Sequence, residues 1–374
     1  MPHDDVVVVG AGAIGLGIAW RSATRGASVT VVDPAPGSGA SSVAPGMLAP
    51  VTEFHHGEYE LFELNLVSSK MFPAWIAELE SVSGMSTGYR RCGTVMAARD
   101  ADDMISLRET FAFQQRLGMR SEMARSAEVR GIEPALGPNT RGGIHVPGDH
   151  QVEPVALLAA LLSACEDRGV RFVRSGVSGI LVERGKVAGL STAEGERITC
   201  DRVVLAAGAR SGMIGGLPPG FVKVRPVKGQ VVELLPGDES VCPTHNVRGL
   251  DVYLVPRQDG RLVVGATVEE KGWDPHPTAG AVHDLLRYAY ELFPGVTEMR
   301  FGEVRVGFRP GTPDNAPLLG PTDIEGLILA TGHYRNGILL TPVTADRIAT
   351  LLETGSSPED ITAFSPTRKT MKRS

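Results

Sequence analysis

The apolar positions at the start of the chain form two short runs separated by a helical pattern. Val6–Val9 are four consecutive β-branched residues, which is typical of a strand buried on both faces. Ile14 and Ile18 follow at helical spacing, and the second run, Val29–Val32, ends at Asp33. This pattern predicts a strand, a helix and a parallel strand at the N-terminus.

Similar signals recur far along the chain. Apolar runs at 203–207 and 327–330 are each followed closely by a glycine, Gly208 and Gly332. We expect both runs to be strands that return to the sheet begun by the N-terminal unit. Further helical patterns lie at 61–79, 154–169 and 343–352.

The intervening segments have a different pattern. Short strand-like pieces alternate with polar turns from about 84 to 147. From 221 to 307 the pattern is antiparallel, with a hairpin signal at Asp259-Gly260. The predicted fold class is α/β, with a Rossmann-like nucleotide-binding domain interleaved with an antiparallel-sheet domain. The predicted boundaries are 1–83, 148–215 and 305–363 for the first domain, 84–147 and 216–304 for the second, and 364–374 for a flexible tail.

Composition narrows the class of protein. The 374 residues are 42% hydrophobic and 21% charged, which accommodates two globular domains. A net charge of -6 argues against nucleic-acid binding. The four cysteines form no CxxC pair, so we expect no metal site, no disulfide framework and a reducing compartment. Asp4 and Asp5 stand where a signal peptide has basic residues, and we expect a soluble, cytoplasmic protein with no membrane partner.

A glycine-rich motif lies between the first strand and the first helix. Gly10, Gly12 and Gly15 fit the pattern GxGxxG. The first glycine permits a tight turn, the second lets the backbone approach a pyrophosphate, and the third lets the helix pack on the sheet. The helix N-terminus then favours phosphate, and Asp33 is placed to accept hydrogen bonds from ribose hydroxyls. The motif predicts a dinucleotide site.

The rest of the chain favours FAD over NAD. An NAD-dependent dehydrogenase usually continues with more strand–helix–strand units, whereas a glycine- and serine-rich loop over 34–50 and a long antiparallel insertion follow here. The segments that end at Gly208 and Gly332 indicate distant parts of the chain returning to one cofactor. The NAD(P) alternative predicts a colourless protein.

Several longer motifs carry a family resemblance across nearly the whole chain. They are GAGAIG (10–15), SSVAPGMLAP (41–50), PVKGQ (226–230), YLVPR (253–257), GRLVVGAT (260–267), GFRPGTPD (307–314) and GHYRNGILLTP (332–342). With these motifs the chain resembles the D-amino acid oxidase-like family of FAD-dependent oxidoreductases, and within it the glycine-oxidising members of the thiamine pathway.

The resemblance implies a buried, noncovalent FAD at the interface of the two domains, because no cysteine lies in the late flavin-contacting segment. Val177 is expected at the adenine end through its backbone, and 333–339 around the flavin and the ribityl chain. The complete expected cofactor set is Gly10, Gly12, Ala13, Ile14, Gly15, Asp33, Pro34, Ala40, Ser41, Pro45, Gly46, Met47, Val177, Gly208, His333, Tyr334, Arg335, Asn336, Gly337, Ile338 and Leu339.

The resemblance also implies three residues for the substrate. Arg309 is expected to bind the carboxylate of an amino acid, Tyr253 to donate a hydrogen bond to it, and Arg335 to close the site. Arginine suits the task because it keeps its charge when desolvated and meets a carboxylate with two parallel hydrogen bonds. Taken singly, arginines in turns are usually solvated and a hairpin tyrosine usually packs across strands.

No acid/base pair and no metal ligand is assigned. His55, His56 and His150 are interpreted as polar surface residues without a role. Lys228, in PVKGQ, is considered as a positive charge near the flavin that assists oxygen reduction, against the ordinary alternative of a solvent-exposed lysine.

The reaction implied is hydride transfer from the substrate Cα to flavin N5, hydrolysis of the imine, and reoxidation of the flavin by oxygen with release of hydrogen peroxide. For glycine the products are glyoxylate and ammonia, or the imine passed to thiazole synthesis. The same fold leaves open a sarcosine or D-amino acid oxidase or dehydrogenase. A catalytically silent flavin-binding protein is the alternative from another class, and a homotetramer is the assembly expected of the family.

Overall fold

The computed structural model describes residues 5–238 and 241–368. Two large sheets dominate the described chain, one of six strands and one of eight, accompanied by a three-stranded and a two-stranded sheet. The chain passes from one large sheet to the other several times, which agrees with the interleaved α/β fold predicted from the sequence.

The strands are β1 (Val6–Val9), β2 (Val29–Val32), β3 (Met47–Leu48), β4 (Thr94–Ala98), β5 (Glu122–Arg125), β6 (Gly142–Val146), β7 (His150–Gln151), β8 (Arg171–Val173), β9 (Val177–Glu183), β10 (Lys186–Thr192), β11 (Arg197–Ile198), β12 (Val203–Leu205), β13 (Arg225–Leu235), β14 (Asn246–Arg248), β15 (Tyr253–Pro256), β16 (Leu262–Gly265), β17 (Arg300–Gly311), β18 (Leu318–Pro321) and β19 (Leu327–Thr331). The helices are α1 (Ala13–Thr24), α2 (Ala40–Val43), α3 (Tyr59–Ser83), α4 (Ala101–Arg116), α5 (Ser126–Ile132), α6 (Pro154–Asp167), α7 (Ala279–Leu292) and α8 (Thr341–Thr354). Short 3-10 segments are Gly208–Met213, Pro294–Glu298 and Glu359–Phe364.

The six-stranded sheet has the order β18-β19-β12-β1-β2-β8. Its five neighbouring strands from β19 to β8 pair in parallel, and β18 adds an antiparallel edge. Val6–Val9 are wholly buried because helices α1, α3, α6 and α8 pack on one face and the three-stranded sheet contributes to the apolar cluster on the other. The strands predicted at 203–207 and 327–330 are confirmed as members of this sheet.

The eight-stranded sheet has the order β17-β13-β16-β15-β14-β4-β6-β5. Its pairs are antiparallel apart from β14 and β4, which lie in parallel. The predicted hairpin around Asp259-Gly260 is confirmed as β15 and β16. Helix α7 covers one face, where Leu285, Ala289 and Leu292 pack into an apolar cluster. The opposite face of β13, β15, β16 and β17 remains for a site.

The segment from 84 to 147 departs from the prediction of strand-like pieces alone, because α4 and α5 lie within it. Helix α4 begins where the Asp100 side chain accepts a hydrogen bond from the backbone N–H of Asp103, which is an N-cap. Few residues of α4 are buried, so its apolar stripe is weak. The sequence pattern therefore did not predict this helix.

The prediction of a flexible tail over 364–374 is wrong for residues 364–368. Phe364 is buried, and the Arg368 guanidinium pairs with the Asp314 carboxylate at 2.9 Å. Residues 369–374 lie outside the described chain. Strand β17 spans position 305, where the first domain was expected to resume, and the domain boundaries stay a prediction. Within the described ranges no helix is both long and apolar enough to cross a membrane.

Candidate active site

A cavity of about 1090 Å³ separates the two large sheets. Its walls come from the carboxyl ends of β1, β2, β12 and β19, the loop over 38–47, and one face of the eight-stranded sheet. Ligands in open parallel sheets bind outside the carboxyl ends of the strands, where the loops leave the backbone accessible. The volume lies slightly above the usual range of small-molecule pockets, which is about 300–1,000 Å³.

The glycine motif forms one end of this cavity. A Cβ on Gly10 would lie 2.5 Å from the Ala206 carbonyl oxygen, and a Cβ on Gly15 would lie 1.8 Å from the carbonyl oxygen of Gly10. Both positions therefore require glycine, the first also because its φ is +104°. Helix α1 begins after Gly12, which provides no side-chain cap, and the Ser41 hydroxyl accepts a hydrogen bond from the Ala13 N–H at 3.1 Å. The helix N-terminus borders the cavity, where its dipole favours an anion.

Asp33 closes this end of the cavity. Its carboxylate accepts hydrogen bonds from the Ala11 N–H at 2.8 Å and from the Ala35 N–H at 2.7 Å. These bonds fix the carboxylate at the end of β2 and leave lone pairs on both oxygens for ribose hydroxyls. The glycine cradle, the N-terminus of α1 and this carboxylate fit the diphosphate and ribose of a dinucleotide such as FAD.

The cofactor residues expected from the sequence lie together around the cavity, with one exception. Gly15 does not line it but packs against Gly10, as the third glycine of the motif should. His333 is buried, its Nε2 lies 3.1 Å from the Thr344 hydroxyl, and burial lowers its pKa to about 3, so the imidazole is neutral. Tyr334 borders the cavity with a left-handed φ of +47°.

Arg309 and Tyr253 lie on the cavity face of the eight-stranded sheet. Side chains alternate between the faces of a strand, and the register of β13 with β17 places Arg309 opposite Val227, so that its side chain extends over Gly229 on the same face. A Cβ on Gly229 would lie 2.3 Å from Arg309 Nη1, so glycine lets the guanidinium lie flat on the sheet. Gly265 does the same for Tyr253, because a Cβ there would lie 2.4 Å from the phenol ring.

Arg309 and Tyr253 both offer hydrogen-bond donors at this end of the cavity. The Arg309 Nη1 donates to the Thr267 carbonyl oxygen at 2.9 Å. Desolvation raises the pKa of Tyr253 to about 12, and the neighbouring Arg309 acts in the opposite direction. The phenol therefore keeps its proton at ordinary pH and is a hydrogen-bond donor.

Arg309 and Arg335 differ in their charge balance. Across residues 5–238 and 241–368, no carboxylate lies within ion-pair distance of Arg309. Arg335, by contrast, pairs with the Glu58 carboxylate and lies 3.7 Å from a Glu53 oxygen. A partly desolvated, uncompensated guanidinium favours an anion, so Arg309 is the better candidate for binding a substrate carboxylate.

Sequence reasoning missed part of the cavity wall. Glu53, which pairs with Arg248, lies there, and so does His55, whose pKa is lowered chiefly by desolvation. Trp273 also borders the cavity, with its ring 5.1 Å from that of Phe308. These residues come from loops and strands far apart in the chain. No local motif marked them, although Glu53 closely follows the SSVAPGMLAP segment.

Lys228 lies where neither interpretation of the sequence placed it. Strand alternation directs its side chain to the face opposite Gly229 and Arg309, so it does not line the cavity. It is also fully buried rather than solvent-exposed. Its ammonium pairs with the Asp274 carboxylate at 2.7 Å and donates to the His276 carbonyl oxygen at 2.6 Å. The proposed role in oxygen reduction therefore lacks a geometric basis.

Comparisons with known proteins agree with this site. A family model described as FAD dependent oxidoreductase matches residues 5–351. The bifunctional protein ThiO/ThiG of Trichormus variabilis is 36% identical over 360 residues, which cover 95% of this chain and 53% of that protein. The chain thus spans about half the length of the ThiO/ThiG relatives that it matches.

Relatives named glycine oxidase match over nearly their whole length. Glycine oxidase of Geobacillus kaustophilus is 32% identical over 375 residues, 97% of each chain. The crystal structure of glycine oxidase from that organism has a TM-score of 0.91 and is covered over 100% of its chain by 99% of this one. Iminodiacetate oxidase from Chelativorans, with a TM-score of 0.87 at 24% identity, shares the fold. The match over residues 5–351 and the glycine cradle beside β1 place this chain in the family of FAD-dependent oxidoreductases.

Proposed function

We propose that this protein is an FAD-dependent oxidase of a small amino acid, with glycine as the first candidate. The products are the imine, or glyoxylate and ammonia after hydrolysis, together with hydrogen peroxide. The relatives named glycine oxidase and ThiO/ThiG support this assignment, and the second name supports a role in supplying thiamine thiazole synthesis. Bound FAD supplies the chemistry by accepting a hydride from the substrate Cα.

The observation that carries the proposal is that Arg309 and Tyr253 lie side by side on one wall of the cavity. The guanidinium has no carboxylate partner in the described chain, and the neighbouring phenol keeps its proton. Together they offer charge-assisted and neutral hydrogen bonds to one carboxylate. A carboxylate fixed in this way orients Cα, which makes the transfer effectively intramolecular.

The chain needs no side chain to remove a proton if the substrate amine enters neutral. His333 is neutral but buried against Thr344, and Lys228 lies on the opposite face of the sheet, so neither serves as a base. We propose noncovalent FAD, since none of Cys92, Cys165 and Cys200 lines the cavity, nor does Cys242. The remaining predictions are a binding role for Arg335, the cytoplasmic location and the homotetramer.

The test is the visible absorption spectrum of purified protein before and after anaerobic addition of glycine. We expect a flavin spectrum that bleaches with glycine and returns on exposure to air with release of peroxide. The variant Arg309→Ala should retain FAD and show a sharply raised KM. Unchanged glycine kinetics in that variant would remove Arg309 from the substrate site.

Two alternatives have distinct outcomes in the same assay. A flavin that ignores glycine but bleaches with sarcosine or a D-amino acid identifies another oxidase of this fold. A flavin that no amino acid reduces supports a catalytically silent flavin-binding protein. The uncompensated Arg309 disfavours the silent protein, because a partly desolvated cation without a carboxylate partner in the described chain is costly unless a ligand balances it.

A further inference from the structure

The loop over 38–47, which we call the cofactor loop, contributes every one of its residues to the cavity wall. Its Ser41 hydroxyl accepts a hydrogen bond from the Ala13 N–H at 3.1 Å, which ties it to the first turn of α1. The loop has no charged side chain, and its helix α2 has only four residues. Its conformation must therefore be held largely through its backbone from outside.

The Val152 N–H donates to the Gly46 carbonyl oxygen at 2.9 Å, and two arginines of the eight-stranded sheet support the middle of the loop. The Arg257 Nη2 donates to the Pro45 carbonyl oxygen at 2.7 Å, and the Arg305 Nη1 donates to the Ser42 carbonyl oxygen at 3.1 Å. Arg257 follows β15 two positions after Val255, and Arg305 lies opposite Val231. Both thus project from the same face of the sheet as Tyr253 and Arg309.

Each arginine is itself held by further contacts. The Arg257 Nη1 donates to the Gln151 side-chain oxygen at 3.0 Å and to the Val152 carbonyl oxygen at 3.3 Å, and Arg257 is 6% exposed. The Arg305 Nη2 pairs with the Glu233 carboxylate at 3.1 Å, which Arg261 also contacts. The Arg257 guanidinium is costly to bury, because carbonyl and amide oxygens only partly replace the water around a cation.

We propose that Arg257 and Arg305 are positioning residues that clamp the cofactor loop from the opposite sheet and thereby set the affinity for FAD. Neither guanidinium lines the cavity, so both act through the backbone of the loop. The clamp makes one wall of the cofactor site depend on the sheet that bears Arg309. The inference rests on FAD lying in this cavity and does not depend on the substrate.

The test compares Arg305→Gln, Arg305→Lys and Arg257→Gln with the control Arg347→Gln. Arg347 pairs with Asp360 at 2.9 Å, does not line the cavity, and has an exposed side-chain fraction of 26% against 19% for Arg305. The first measurement is amide hydrogen exchange of residues 38–47 in the holoenzyme with excess FAD. The second is the rate of FAD release from the holoenzyme on dilution, followed by flavin fluorescence.

Arg305→Gln should accelerate exchange in the cofactor loop and raise the rate of FAD release roughly tenfold to a hundredfold, the loss expected for one hydrogen bond from a charged donor. Arg305→Lys keeps the charge and should restore part of both, whereas Arg347→Gln should change neither. If Arg257→Gln fails to fold, the two Arg305 variants still test whether the loop is held by the arginines of the sheet. Unchanged exchange would overturn the clamp, and faster exchange with unchanged FAD release would overturn its link to the cofactor.

Discussion

Replacing Gly229 with alanine should disable the carboxylate site without damaging the fold. The added Cβ would stand 2.3 Å from Arg309 Nη1, 2.7 Å from Cζ and 2.8 Å from Nη2. The guanidinium must therefore move by about 1 Å to reach ordinary contact distance. The group that moves is the end of a flexible side chain, and Gly229 has no left-handed φ, so the backbone accepts alanine.

The expected magnitude follows from what the displacement removes. A hydrogen bond from a charged donor contributes about 1.5–3 kcal/mol, and a reacting group misplaced by about 1 Å can cost roughly a hundredfold in rate. We expect kcat/KM for glycine to fall roughly tenfold to a hundredfold, chiefly through KM. The flavin spectrum and the midpoint of thermal unfolding should remain close to those of the parent protein.

A double-mutant cycle isolates the mechanism. If Gly229→Ala acts by displacing the guanidinium, it should have little further effect in the Arg309→Ala background. The assay is steady-state peroxide release with glycine for the four proteins, with FAD content measured in each. Equal losses in the presence and absence of Arg309 would refute the reasoning, since the alanine would then act through the sheet or the cofactor.

Three further outcomes are expected. Tyr253→Phe should raise KM roughly fivefold to tenfold, the worth of one hydrogen bond, and the parent KM should show no break from this phenol below about pH 10, because its pKa is near 12. Burial lowers the pKa of His333 from 6.5 to about 3, so the unfolded chain takes up a proton first as pH falls. In denaturant unfolding, the parent should lose about 2 kcal/mol more stability than His333→Gln between pH 7 and pH 5, and equal losses would contradict this assignment. Lys228→Met should leave peroxide formation per reduced flavin unchanged while accelerating amide exchange around Asp274, and slower flavin reoxidation would contradict the placement of Lys228.

The sequence predicted those parts of the fold whose signal, a hydrophobic period or a glycine turn, lies within a few adjacent residues. Val6–Val9, the GxGxxG turn and the β15–β16 hairpin each follow from a handful of adjacent residues. Helix α4 was not predicted because its apolar stripe is weak, although Asp100 is a residue type that favours the N-cap position. The packing of Phe364 and the ion pair of Arg368 depend on residues distant in the chain, which no window of sequence contains.

The candidate site was predicted less completely, for a related reason. Motif resemblance predicted Arg309 and Tyr253, which both line the cavity, but the sequence could not show that Glu58 and Glu53 lie beside Arg335. Nor could it show the direction of Lys228, since a single-residue change of strand phase reverses the face to which a side chain points. Charge balance is a property of the assembled cavity and not of a motif.

The arginines on the cavity side of the eight-stranded sheet make the same point in energetic terms. Arg305 and Arg257 hold their charges against backbone carbonyls of the cofactor loop, with Glu233 beside Arg305. Arg309 lies on the same face but has one carbonyl bond and no carboxylate in the described chain. These arginines therefore differ in function, because Arg309 has more N–H donors left free for a ligand than Arg257 and Arg305 have. A carboxylate entering this cavity meets in Arg309 a partly buried guanidinium that no carboxylate of residues 5–238 and 241–368 balances, and that difference, rather than the residue type, favours Arg309 as the site of substrate recognition.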